Sequence, residues 1–105
     1  MTTYQGRAVL VAGTGIAGTA CAKVLLGLGA EVTVINRSAS AALTELAELG
    51  ARPVVAHVPD PGVLRHVSDV VVSPGFAPDH PLVTAAVAAG LEVYSEPELA
   101  WRLRR

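Results

Sequence analysis

Short apolar runs alternate with amphipathic stretches along nearly the whole chain, and that alternation leaves few folds open. Ala8 to Ala12, bounded by Gly6 and Gly13, reads as a buried strand and leads into a helical pattern from Ile16 to Leu28 that Gly29 closes. Glu31 to Ile35 is valine-rich and β-branched, and the helical pattern from Ala41 to Leu49 stops at Gly50. Arg52 to Ala56 is a weaker strand, followed by the turn cluster Pro59-Asp60-Pro61-Gly62 and a single helical turn around Val63 to His66. Asp69 to Val72 is a fourth strand. The helix after it, Pro81 to Ala89, is expected to be capped by Asp79, with Pro81 tolerated in the first turn and Gly90 at the end. Glu92 to Tyr94 is a fifth strand, and Ser95-Glu96-Pro97-Glu98 has the spacing of a capping box for a last helix. Strands alternating with helices join as right-handed crossovers. The expected fold is therefore α/β: a Rossmann-like, doubly wound, parallel five-stranded sheet of order 3-2-1-4-5 with helices on both faces.

In that order the switch point falls between the first and fourth strands, and two loops meet there. The first is Gly13-Thr14-Gly15-Ile16-Ala17-Gly18, a G-x-G-x-x-G loop with a strand before it and a helix after it. Gly13 permits a tight turn, Gly15 lets a diphosphate approach the backbone, and Gly18 lets the helix pack close, so that amides at the helix start face an anion. The second is Ser73-Pro74-Gly75, which combines a hydroxyl, a fixed φ and a residue without Cβ, so its backbone can lie against a planar ring or a sugar-phosphate.

The end of the second strand bears on the ligand. A dinucleotide site normally has an acidic residue there, about 20 residues beyond the first loop. This chain has Asn36-Arg37-Ser38. Arg37 suits a 2′-phosphate, Asn36 offers the donor and acceptor needed to read a pyrimidine edge, and the three residues together also make an ordinary capped turn. Taken alone they leave three readings open: an NADP-binding oxidoreductase domain, a uridine nucleotide site, or a structural turn.

Length and composition set the remaining bounds. At 105 residues the chain suits one domain, 1–105, with no room for a second catalytic domain of ordinary size. It has only four aromatic residues, so a core of Val, Leu and Ala is expected. A formal charge of −1 offers no field for nucleic acid, despite the short basic tail Arg102, Arg104 and Arg105. Cys21 is the sole cysteine, read as a buried packing residue, which excludes an internal disulfide framework or a cysteine-rich metal site. No apolar run approaches the ~20 residues that cross a bilayer, and the polar start Met1 to Arg7 lacks a signal pattern, so the expectation is a cytoplasmic protein with no membrane partner.

Val72-Ser73-Pro74-Gly75, then Pro78-Asp79-His80-Pro81, then Glu96-Pro97-Glu98-Leu99-Ala100-Trp101 together resemble the N-terminal domain of the Mur ligases, specifically the ligase that adds D-glutamate to UDP-N-acetylmuramoyl-L-alanine. Tyr4-Gln5-Gly6 and the Gly13 to Gly18 loop match the start of that family, so the likeness runs from Tyr4 to Trp101. The resemblance implies a parent enzyme of peptidoglycan biosynthesis that uses ATP and magnesium to phosphorylate a carboxylate, which D-glutamate then attacks. It implies that this domain contributes no catalytic residue and binds neither ATP nor metal, and instead holds the UDP end of the substrate. Carried over by position, the backbone around Thr14, Gly15, Ile16, Ala17 and Gly18 meets the diphosphate, Asn36 and Arg37 flank the uracil, and Ser73, Pro74 and Gly75 close the other side. Relatives often carry an acidic residue where this chain has Asn36. No G-x-x-x-x-G-K-[ST] loop occurs in the sequence, so the ATP-binding central and C-terminal domains of the family have no counterpart here, and the fragment alone is expected to be inactive. A non-catalytic nucleotide-sensing module is the other reading of the same fold. His57 and His66 are expected at the surface, His80 beside the crevice, and Trp101 as an anchor of the last helix to the sheet or to a neighbouring domain.

Overall fold

The computed structural model describes residues 4–57, 60–73, 76 and 79–104, with Ala17 described by its backbone alone. Pro59, Ala77, Pro78 and Arg105, all invoked above, lie outside the described residues. The elements run β1 (Ala8–Ala12), α1 (Ile16–Gly27), β2 (Glu31–Asn36), α2 (Ala41–Glu48), β3 (Arg52–Val55), a 3₁₀ turn (Pro61–Leu64), β4 (Asp69–Val72), α3 (Pro81–Ala88), β5 (Glu92–Ser95) and α4 (Glu96–Leu103). All strand pairs are parallel, in the order β3-β2-β1-β4-β5. The expected sheet is therefore the observed one, with most element ends differing by a residue.

Alternation along the strands divides the core into two layers. Val9 and Val11 of β1, Val32 and Val34 of β2, Val71 of β4 and Tyr94 of β5 face α1, α2 and α4, which contribute Ala22 and Leu25, Leu43 and Leu46, and Leu99. Leu10, Ala12, Ile35 and Val70 point to the opposite face and pack under Leu82 and Ala86 of α3 and Leu64 of the 3₁₀ turn. β1 lies centrally, and Val9 through Ala12 are wholly shielded from solvent.

Three local expectations need correction. The helical turn sits at Pro61–Leu64 rather than Val63 to His66, because Asp60 caps it by accepting from the Gly62 amide at 2.7 Å. His66, which follows, is exposed at φ +68°. Asp79 does not cap α3: Pro81 occupies the first turn, so the cap falls on His80, whose Nδ1 accepts from the Leu82 amide at 3.1 Å. The capping box forms only in part. Ser95 accepts from the Glu98 amide at 3.2 Å, whereas the Glu98 carboxylate is drawn to Arg102 at 3.0 Å.

The strand ends remote from the glycine loop are tied together by Asp69, which is fully buried. It accepts from Arg7 at 2.8 Å, from the Ser68 hydroxyl, and from Tyr94 at 2.6 Å. Since the Tyr94 proton is committed to Asp69, it is Tyr4 that donates to the Tyr94 oxygen, at 2.8 Å. Burial and the bond to Asp69 push the Tyr94 hydroxyl well above the usual tyrosine range, so it stays a donor.

Candidate functional site

The two expected loops do meet at the switch point. Gly13 leaves β1 at φ +106°, with its amide bonded to Ile35 at 2.8 Å, and the Ser73 amide donates to Ala12 at 3.2 Å. A Cβ on Gly13 would lie 2.7 Å from Ser73 Oγ, so the loops touch where only glycine fits. A Cβ on Gly18 would collide with the Gly13 carbonyl oxygen, which explains why the third glycine of the motif is needed. Phe76 donates its amide to the Ser73 carbonyl at 3.0 Å and packs its ring at a tilt against that of His80, with 4.8 Å between centroids.

The start of α1 is chemically bare. Its N-cap is Gly15, which has no side chain to offer, and the first turn contains no acidic residue. The first intrahelical bond runs from the Thr19 amide to Gly15 at 2.9 Å, which leaves the amides of Ile16, Ala17 and Gly18 without a helical partner. By contrast Ser40, Asp60, His80 and Ser95 cap α2, the 3₁₀ turn, α3 and α4 with side-chain acceptors. Free amides at the positive end of a 12-residue helix attract an anion. Thr14 secures the loop by accepting from Thr19 Oγ1 at 3.2 Å, and Ile16 stands 94% exposed at its tip.

Asn36 ends β2 half-buried, and its Nδ2 donates to the Ser38 carbonyl at 2.8 Å. One donor is thus spent on the turn, while Oδ1 and the second N–H have no partner among the described residues. Arg37 is exposed and enters no ion pair among the described residues. Of the expected site, Thr14, Gly15, Ile16, Gly18 and Ser73 gather at the switch point with the backbone of Ala17, and Asn36 and Arg37 flank it at the end of β2. Pro74 and Gly75 lie outside the described residues.

Residue-type reasoning missed Glu96. It opens α4 yet is only 5% exposed, and its Oε2 has no hydrogen-bond partner among the described residues. That oxygen lies 3.1 Å from the position of a Cβ on Gly18, against the glycine loop, and burial pushes the carboxyl above its usual range. Cys21, one turn further along α1, is half-buried against the core. Burial, and then the nearby Glu96, hold its thiol up in the protonated form. Trp101 does not anchor α4 to the sheet: it is 60% exposed and carries Arg104 stacked at 3.6 Å, while Leu99 fills the anchoring role. Arg102, part of the basic tail, pairs with Glu92 and Glu98 and lies 3.8 Å over the Tyr94 ring.

A cleft of about 780 Å³ opens at the opposite ends of the strands, between Thr33 and Val54 on the sheet and Arg65 and His66 beyond the 3₁₀ turn. Ligands of open α/β sheets bind outside the carboxyl ends of the strands, so the glycine loop and not this cleft has the geometry of a nucleotide site.

Residues 7–95 match the family model for the Mur ligase MurD-like N-terminal domain. The chain belongs to that family. It is 42% identical to a UDP-N-acetylmuramoylalanine–D-glutamate ligase of Streptomyces avermitilis, over 99% of this chain and 23% of the relative. It is 45% identical to the enzyme of the same name from Streptomyces coelicolor, over 96% of this chain and 22% of the relative. The chain thus spans less than a quarter of the length of these relatives. Among solved structures, the UDP-N-acetylmuramate:L-alanyl-gamma-D-glutamyl-meso-diaminopimelate ligase of Neisseria meningitides shares the fold, with a TM-score of 0.78 at 20% identity over 93% of this chain and 31% of that one. Membership in this family does not favour the oxidoreductase reading left open by Arg37. No helix among the described residues is long and apolar enough to cross a membrane.

Proposed function

We propose that this domain, as a single nucleotide-sugar-binding unit spanning residues 1–105, holds the UDP end of UDP-N-acetylmuramoyl-L-alanine for a ligase that joins D-glutamate to it in peptidoglycan synthesis in the cytoplasm. The observation that carries the reading is the uncapped start of α1 at the switch point, where free amides face outward beside Ser73. The diphosphate is held by the backbone of Thr14 to Gly18. The uracil lies between Asn36 and Arg37 on one side and the Ser73-Pro74-Gly75 loop on the other. Asn36 reads the imide edge with the donor and acceptor its turn leaves free.

The chemical step, which uses ATP and Mg²⁺, belongs to other parts of the enzyme. The residues here do not fit those groups: the sequence has no ATP phosphate loop, and no cluster of three His, Cys, Asp or Glu side chains among the described residues is placed to hold a metal. The domain therefore binds and positions substrate and does not turn over alone; its natural partners are the central and C-terminal domains of the same ligase.

The test is a titration of the domain with UDP and, in parallel, NADP, followed by amide NMR shifts. Shifts with UDP at Gly15 to Gly18, at Asn36 and Arg37 and at Ser73 support the reading. Selective binding of NADP with no response to UDP overturns it.

A further inference from the structure

Glu96 stands on the same ground as the loop and is explained by neither packing nor the substrate contacts above. A buried carboxyl oxygen without a partner is costly, and the fold keeps one against the phosphate-binding turn. Its position is specific: Oε2 and the Gly13 carbonyl oxygen converge on the same side of Gly18, in the space a Cβ would fill. A carboxylate there would set two acceptors against each other. A neutral acid carries a proton that the Gly13 carbonyl can accept.

We propose that Glu96 is a positioning residue that makes anion binding at the glycine loop proton-linked: as a neutral acid it donates to the Gly13 carbonyl and fixes the loop, and as a carboxylate it opposes the bound diphosphate. The inference rests on the reading of α1 as a diphosphate site. In a planar trans peptide the Thr14 N–H points opposite to the Gly13 carbonyl, so holding that carbonyl toward Glu96 turns the Thr14 amide away from Gly18. The Gly18 amide lies at the proposed anion site, and a Cβ on the same residue would lie 3.1 Å from Glu96 Oε2. A bound phosphate therefore stands within roughly 8 Å of the buried carboxyl, near enough for like-charge repulsion to favour the neutral form.

Among the described residues His80, tilted against Phe76 of the second loop, is a second titratable side chain beside the crevice, and Glu96→Gln leaves it in place. α1 presents Cys21 to Glu96, and Lys23 of the same helix is paired with Glu45 at 3.0 Å. On β5, Glu92 is held by Arg102 and Tyr94 is bonded to Asp69. On β4, Asp69 lies at the far end with Arg7. Within α4 itself, Glu98 is paired with Arg102.

The test uses UDP-N-acetylglucosamine, whose phosphates do not titrate near neutral pH. The Glu96 carboxyl is followed by ¹³C NMR against pH with and without the probe. The expected result is an upward shift of the Glu96 midpoint in the complex, and an affinity that falls roughly tenfold per pH unit between the two midpoints. Glu96→Gln, which donates a hydrogen bond and carries no charge, should bind with the low-pH affinity of the wild type at every pH. A Glu96 midpoint unmoved by bound probe, or a Glu96→Gln variant that keeps the wild-type pH dependence, overturns the proposal while the diphosphate site stands. Failure of the probe to bind at any pH overturns both.

Discussion

Gly18 and Glu96 show how tightly single residues bound this site. Gly18→Ala places a methyl group against the Gly13 carbonyl, a backbone atom that gives way only if the loop moves. The expected cost is about 2 kcal/mol, seen as a fall in Tm of roughly 10 °C in a thermal melt, together with weaker UDP binding. Glu96 acts in the other direction. Its carboxyl titrates above the ordinary 4.5 in the folded chain, so the native state binds more protons than the unfolded state over the interval between the two values. Its favourable contribution is complete below the unfolded value and is lost as pH rises through the folded one. Glu96→Gln should therefore be more stable than the wild type at neutral pH, with the difference shrinking toward pH 4 in chemical denaturation. The sequence could place Glu96 at the start of α4, but its burial depends on α1 lying across it, a contact between residues far apart in the chain.

At the scale of the element, the start of α1 sets binding against helix stability. Gly15 has ordinary backbone angles, φ −66°, and open space where a Cβ would go, so Gly15→Asp fits without strain. An aspartate there caps the free amides and repels an anion. The expected outcome is a stability within about 0.5 kcal/mol of the wild type, or slightly above it, with loss of the UDP-induced amide shifts. The elements themselves were largely legible in the sequence, because valine-rich runs closed by glycine carry a strong periodic signal. The meeting of Gly13 with Ser73 was legible as well, since both follow strands whose order the crossover rule fixes. What failed was local choice between neighbours. Asp79 is the better cap by residue type, but Pro81 in the first turn of α3 puts the cap position at His80. Of the two anchoring roles expected of Trp101, the one toward the sheet fails, because the inward face of α4 passes through Leu99 and leaves the indole outside.

Seen as a whole, the molecule is a sheet with unequal faces: α1, α2 and α4 cover one side, while the other has α3 and a short 3₁₀ turn. The cleft of about 780 Å³ beside that turn follows from the shortness of the β3-to-β4 connection. On the β4–β5 side, the strand ends remote from the glycine loop are closed by the hydrogen bond from Tyr4 to Tyr94, which spans 90 positions of the chain, and by the Asp69 cluster beside it. Closing a contact between such distant positions carries a large entropic cost, so the clasp is expected to form late in folding. Tyr4→Phe removes the donor and should cost about 1 kcal/mol, appearing as unfolding roughly fivefold faster with the refolding rate almost unchanged in stopped-flow measurements. The clasp at the quiet end of the sheet thus acts as a brake on unfolding: it governs how long the folded domain lasts rather than how quickly it forms.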